Sequence, residues 1–212
     1  MKYNLRLPFM QVNSAEIIQL LLDGQSAVFP TETVFALAAD ARNSSAISHI
    51  YQFKHREVNK PLAIIGSSLS MVENYVQVNE RVRRVMKQFM PGALTCILPI
   101  KNESDLSPQL ITPNNTLGVR IPDHPLAVDI IEQVGAPLAA TSVNRSGEPS
   151  AIKNHQVVDF CGDKIAYCLA SDVAGEPRGL ASTVVDFTQD QPKLLREGEI
   201  VFAEILNVFN QN

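Results

Sequence analysis

Polar Asn13 stands three residues ahead of Glu16, and Ile17, Ile18, Leu21 and Leu22 follow on one helical face until Gly24. That is the spacing of a capping box before an amphipathic stripe, and it predicts a helix that the glycine closes. The pattern then changes period. Ser26 to Pro30 is a short apolar run ended by proline, which predicts a strand, and the polar run Thr31-Glu32-Thr33 follows at its end. Ala46, Ile47, Ile50 and Tyr51 mark a second helix, which leads into the basic segment Lys54 to Pro61, and Leu62 to Ile65 predicts the next strand. In Asn79 to Phe89 the apolar residues Val82, Val85, Met86 and Phe89 share a face while Arg81, Arg84 and Lys87 surround it, the pattern of a solvated helix.

Beyond the Pro91-Gly92 turn, Ala93 to Leu98 and Leu117 to Ile121 predict strands, separated by a polar loop rich in Asn, Ser and Pro. His124-Pro125 opens an apolar helix that Gly135 stops, and Pro137 to Thr141 predicts a further strand. Ser182 to Phe187 and Lys193 to Arg196 predict a hairpin around Asp190-Gln191-Pro192, before a last helix from about Val201 to Val208. Short strands alternating with helices indicate an α/β fold. No repeat, low-complexity segment or linker divides the pattern, so the expectation is a single domain over residues 1–212, with a core at about 14–200 and a helical tail at about 201–212.

Composition narrows the function. The chain has 212 residues, 45% of them hydrophobic and 19% charged, with a net charge of -4. That supports a sizeable core and gives no global drive toward nucleic acid, so any phosphate-binding surface must be a local cluster of cations. No N-terminal apolar segment of signal-peptide type and no stretch of membrane-spanning length is present, and the expectation is a cytoplasmic protein without membrane contact. On that reading the sequons at Asn43, Asn102, Asn114 and Asn144 carry no glycosylation meaning. Cys96, Cys161 and Cys168 lack the spacing of a metal site and read as buried free thiols.

No P-loop, G-x-G-x-x-G, nucleophile elbow or H-E-x-x-H pattern occurs, and the histidines at 49, 55, 124 and 155 are scattered. What remains is a set of cations and hydroxyls at strand ends. Lys54, Arg56 and Lys60 could bind phosphate, the Arg56 fork in bidentate fashion, or could belong to a solvated loop. The turn Thr141-Ser142-Val143-Asn144-Arg145-Ser146-Gly147 could donate hydrogen bonds to phosphate or carboxylate oxygens, or be a plain surface turn. Arg120, inside an apolar strand, requires an anionic partner, either an internal acid or a ligand.

Taken together, PTETVFALA from Pro30, KHREVNKPLAII from Lys54, TLGVRIPDHP from Thr116, PLAATSVNRSGEPSA from Pro137, STVVDF from Ser182 and LLREG from Leu194 resemble, in order, the YrdC/Sua5 family of threonylcarbamoyl-AMP synthases. The likeness is to the short, single-domain form (TsaC type). It implies a twisted, mixed parallel and antiparallel sheet with flanking helices and a concave cationic site. It also implies a reaction: L-threonine, bicarbonate or CO2, and ATP give threonylcarbamoyl-AMP and pyrophosphate, with Mg2+ expected beside the ATP. The product would go to a threonylcarbamoyl transferase complex that modifies adenosine 37 of tRNAs reading ANN codons.

By the same resemblance Lys54 and Arg56 are catalytic and bind the phosphates. Lys60, Thr116, Ser142, Asn144, Ser150 and Arg196 contact ATP, and Thr33, Arg120, Ala140 and Ser182 contact threonine; no protein metal ligand is expected. The chain departs from the family at several positions. Ala36 and Ala38 replace usual glycines, Phe35 a tyrosine and Glu57 a proline, Lys60 stands for a usual Asn, and Ile65 occupies a position often held by histidine. Two alternatives stand beside this reading: a noncatalytic factor binding double-stranded RNA in ribosome maturation, and a paralogous carbamoyl-adenylate enzyme with a different amine. Contact with tRNA or double-stranded RNA is a further expectation.

Overall fold

The structure, a computed structural model, describes residues 11, 13–101, 105–145, 147–167 and 176–211. Asn102, Ser146 and Cys168, named above, lie outside them. Helix α1 (Ser14–Leu22) opens on the predicted capping box: Glu16 N–H donates to Asn13 Oδ1 at 3.0 Å and Asn13 N–H to Glu16 Oε2 at 2.9 Å. Strands β1 (Ala27–Phe29) and β2 (Ala36–Asp40) follow, then α2 (Ser44–Phe53), β3 (Ala63–Ile65), α3 (Leu69–Glu73), α4 (Glu80–Phe89), β4 (Leu94–Pro99) and β5 (Thr116–Arg120). The remainder is α5 (Pro125–Val134), β6 (Leu138–Ser142), α6 (Asn154–Cys161), β7 (Ala166–Tyr167), β8 (Thr183–Asp186), β9 (Lys193–Arg196) and α7 (Phe202–Phe209).

Among the described residues the strands form one nine-stranded sheet in the order β7-β1-β2-β6-β3-β5-β4-β8-β9. The pairs β1/β7, β3/β5 and β4/β8 are parallel and the rest antiparallel, the mixed α/β sheet expected. Strand alternation gives the sheet two unlike faces. Leu37, Ile64, Leu94, Cys96, Leu117, Val119 and Val185 point to one face, where they pack with α2, α4, α6 and α7. On the other face Ala27, Phe29, Ala36, Ala38 and Leu138 pack with α1 and α5. These two helices cover only part of it, and a cavity opens over the adjoining strands.

Two expectations change. β2 was not predicted, because burial on both faces turns Val34 to Ala39 into a continuous apolar run without period-2 alternation; α3, α6 and β7 were not predicted either. Helix α4 is not a solvated helix. Val82, Val85 and Met86 are buried, Arg81 Nε donates to Phe209 O at 3.2 Å with its guanidinium 3.8 Å from the Phe209 ring centroid, and Arg84 bonds Gln211 O. These arginines dock α7. Cys96 and Cys161 are buried and free, and burial pushes both thiols up, Cys161 to about 12, which keeps them protonated and unreactive at neutral pH. No helix among the described residues is long and apolar enough to cross a membrane.

Candidate active site

The floor of the cavity is made by strand register. Ala63 and Ala38 both pair with Ala140, and Ala36 pairs with Ser142. With Gly118 on β5, the residues Ala36, Ala63 and Ala140 leave a shallow depression of about 360 Å³ on the sheet. That volume falls in the range of small-molecule sites, roughly 300–1,000 Å³. Thr31, Thr33, Arg56, Thr95, Thr112, Arg120, Ser142, Ser150, Ser182 and Arg196 supply its polar lining. The fold thus brings eight predicted residues to one cavity: Thr33, Arg56, Arg120, Ala140, Ser142, Ser150, Ser182 and Arg196.

The end of α2 separates Lys54 from Arg56. His55 N–H donates to Gln52 O at 3.1 Å and Arg56 N–H to Tyr51 O at 2.9 Å, the pair of bonds that defines a Schellman motif. The left-handed residue that closes it is His55, at φ 50°, where glycine is usual. Lys54 is therefore turned inward and is only 1% exposed, with Nζ bonded to Ser142 O and, at 2.9 Å, to Asn144 Oδ1. Arg56 is turned to the cavity, anchored by Nε to Lys60 O at 2.7 Å and Nη2 to Pro61 O at 3.1 Å. The solvated-loop reading fails at Lys54 and holds at Lys60, which is exposed and pairs with Glu57 at 3.3 Å.

Arg120 has the internal acid of the first alternative and keeps a face on the cavity. Nη2 donates to Glu32 Oε1 at 2.6 Å and Nε to Gly92 O at 3.1 Å, and the side chain still lines the cavity. Arg196 donates from Nε and Nη2 to Ser182 O, at 3.1 and 2.8 Å, and from Nη2 to Ser182 Oγ, which lies 2.8 Å from Thr95 Oγ1. Gly198 makes this arrangement possible. A Cβ there would lie 2.1 Å from Ala181 O and 2.6 Å from Thr183 N, so only glycine lets the chain after β9 press against the strand start that carries Ser182.

Three predicted residues stand outside the cavity besides Lys60. Thr116 lies behind Thr112, their hydroxyls 2.6 Å apart. Asn144, like Lys54, belongs to the partition between this cavity and a groove of about 660 Å³ along α2 and α6, and it lines the groove. Sequence reasoning missed Glu32, Thr31, Thr95 and Thr112. Glu32 carried a weak signal, an acid in a short polar run between two apolar stretches, whereas a threonine in a strand carries none.

Arg120 is paired with Glu32, whereas Lys54, Arg56 and Arg196 have no ion pair among the described residues. Burial first, and then the neighbouring Arg56, push the Lys54 ammonium down to about 7. Burial lowers Arg56, and burial with the nearby charge of Arg120 lowers Arg196. Cations held together in a concave, partly desolvated site attract an anion that relieves them. The hydroxyls add orientation, so the arrangement suits a phosphorylated or carboxylated small molecule.

The profile of the Sua5/yciO/yrdC family, described as "Telomere recombination", matches residues 19–198, and the chain belongs to this family. A threonylcarbamoyl-AMP synthase of Bacillus subtilis (strain 168) is 39% identical over 202 residues, covering 92% of this chain and 57% of the relative. A putative threonylcarbamoyl-AMP synthase of Mycobacterium tuberculosis is 32% identical over 189 residues, covering 87% of this chain and 85% of the relative. The solved structure of P. abyssi Sua5 complexed with L-threonine matches with a TM-score of 0.85 and 33% identity, over 94% of this chain and 59% of that one. The chain spans about half the length of the first relatives it matches, 48–57%.

Proposed function

We propose that this chain is a threonylcarbamoyl-AMP synthase. It joins L-threonine, bicarbonate or CO2, and ATP into threonylcarbamoyl-AMP, releasing pyrophosphate, and supplies the transferase that threonylcarbamoylates tRNA. The observation that carries the reading is the convergence of Arg56, Arg120 and Arg196 with the hydroxyls of Thr33, Ser142, Ser150 and Ser182 over a floor of small residues. Attack of a carbamate oxygen on the α-phosphorus brings two anions together and expels a third, so the work is neutralisation and alignment. Arg120 is assigned to the threonine carboxylate, with Thr33, Ala140 and Ser182 around the amino acid. Arg56 and Arg196 are assigned to the phosphates, with Ser142 and Ser150. Lys54 and Asn144 hold the Ser142 end of β6 in place, and Thr116 acts through Thr112.

Among the described residues no group of three or more His, Cys, Asp or Glu is placed to hold a metal. The described residues offer no cage for Mg2+; the ion would be held by the nucleotide phosphates and water, and no step here depends on it. The test is pyrophosphate release from ATP by the purified chain, with each common amino acid, with and without bicarbonate. Release that requires both L-threonine and bicarbonate is expected. Equal release without an amino acid overturns the reading. Release supported by a different amine, but not threonine, would trace to Ala36 on the cavity floor and Phe35 behind it, and would make the chain a paralogous synthase. No release, together with tight binding of double-stranded RNA, would favour the noncatalytic alternative.

A further inference from the structure

We propose that Glu32 is a positioning and specificity residue: it makes the carboxylate clamp at Arg120 accept an amino acid and discriminate against the same acid lacking its amine. This rests on the reading that the cavity takes threonine. Glu32 sits in the turn between β1 and β2, and that turn is locked from two sides. Thr31 Oγ1 donates to Val34 O at 2.6 Å, while Arg178 N–H and Gly179 N–H donate to Glu32 O and Thr33 O, each at 2.8 Å. The flanking Thr31 and Thr33 line the cavity, and the Glu32 side chain goes to Arg120.

The pair is secluded, with side-chain exposures of 11% for Arg120 and 6% for Glu32. Two guanidinium nitrogens are committed, Nε to Gly92 O and Nη2 to Glu32, which fixes the plane of the group and leaves Nη1 for a ligand. Glu32 also offsets the charge of Arg120. An incoming carboxylate is drawn by the arginine and repelled by the acid beside it, so a plain carboxylate gains little net attraction from the pair. An amino acid brings a compensating positive group one bond from its carboxylate-bearing carbon.

The other carboxylate oxygen supports this assignment. Glu32 Oε2 is buried without a hydrogen-bond partner. An unpartnered buried carboxylate oxygen is costly and leaves negative potential beside the clamp, which a ligand ammonium would offset. Selectivity then comes from a repulsive element built against the wrong ligand as much as from attraction to the right one.

The test is calorimetry on the whole chain with L-threonine and with 2,3-dihydroxybutyrate of matching configuration, in which a hydroxyl replaces the amine. Wild type is expected to favour threonine by about tenfold or more, and Glu32→Gln, which keeps an acceptor for Arg120, to reduce that preference about tenfold by weakening threonine and strengthening the dihydroxy acid. Glu32→Asp should recover part of the preference. A parallel loss for both ligands, with threonine-dependent pyrophosphate release retained in wild type, would mark Glu32 as merely structural and overturn this inference alone. Equal affinity of wild type for the two ligands overturns it even if no variant folds. A wild type that binds neither ligand overturns the threonine reading and this inference with it.

Discussion

Replacing Lys54 by methionine keeps a long apolar stem and removes the ammonium from a position that is only 1% exposed. The ammonium is pushed down to about 7 from the ordinary 10.5, first by burial and then by Arg56. The folded state therefore gives up this proton before the unfolded state does. Between these two values the unfolded chain binds more protons at this site, so the Lys54 contribution to stability rises with pH across the window and its penalty is complete below it, while the raised Cys96 and Cys161 thiols oppose it at the upper end equally in both proteins and cancel in the comparison. Linkage gives a slope of about 1 kcal/mol per pH unit near pH 8 and a gain of about 2 kcal/mol between pH 7 and 9 from this group. Across the full window the contribution approaches about 5 kcal/mol. Lys54→Met should abolish that component. Tyr51 and Tyr75 are both raised by burial, so titrating them enters only at higher pH and work below about pH 9.5 avoids them. Urea unfolding of both proteins at half-unit steps from pH 6.5 to 9 gives the comparison. Parallel profiles would refute the argument, because they would mean that Ser142 O and Asn144 Oδ1 keep Lys54 charged throughout.

Arg56→Ala should lower kcat/KM for ATP by about 10- to 1,000-fold in the pyrophosphate assay if the proposed assignment of this cation to the phosphates holds; unchanged kinetics would take Arg56 out of the site. Arg120→Lys should weaken threonine binding by about 1.5–3 kcal/mol in calorimetry while ATP affinity holds, because a point charge cannot reproduce the fork. An equal loss for both ligands would contradict the assignment. Gly198→Ala should cost about 1–3 kcal/mol in urea unfolding through backbone overlap with residues 181–183, and should also weaken ligand binding by displacing Ser182 and Arg196. A silent Gly198→Ala would show that the close approach is dispensable. Arg81→Ala should lower stability by about 1–2 kcal/mol through loss of its bond and ring contact with Phe209, and proteolysis of α7 should reveal the same loosening.

Much of the fold was legible because its signals are local. Asn13 with Glu16, Pro125 with Gly135, and the Asp190-Gln191-Pro192 turn each carry their own geometry, and α1, α5 and the β8/β9 hairpin followed. β2 was illegible because a strand in the middle of a sheet, covered on both faces, has no polar side to alternate with. The site was legible as residue types, but not as an arrangement. Nothing in K-H-R says that a histidine will take the left-handed position and send the two cations to opposite sides of the α2 terminus. Nor could an arginine in an apolar strand announce that its acid lies in the turn after β1, 88 residues away. Such pairings belong to tertiary structure, and a sequence reveals only that some partner is needed.

The crowding on the cavity floor has a consequence for how such a site can diversify. A Cβ at Gly118 would lie 3.1 Å from Ala63 Cβ and 3.2 Å from Ile97 Cδ1, so these positions on β3, β5 and β4 share one patch of space. None of them can grow without crowding the others, and the backbone lattice beneath them is fixed by the sheet. Substrate range at this floor is therefore a joint property of neighbouring strands, altered by exchanging bulk between residues distant in sequence rather than by enlarging or trimming any one of them.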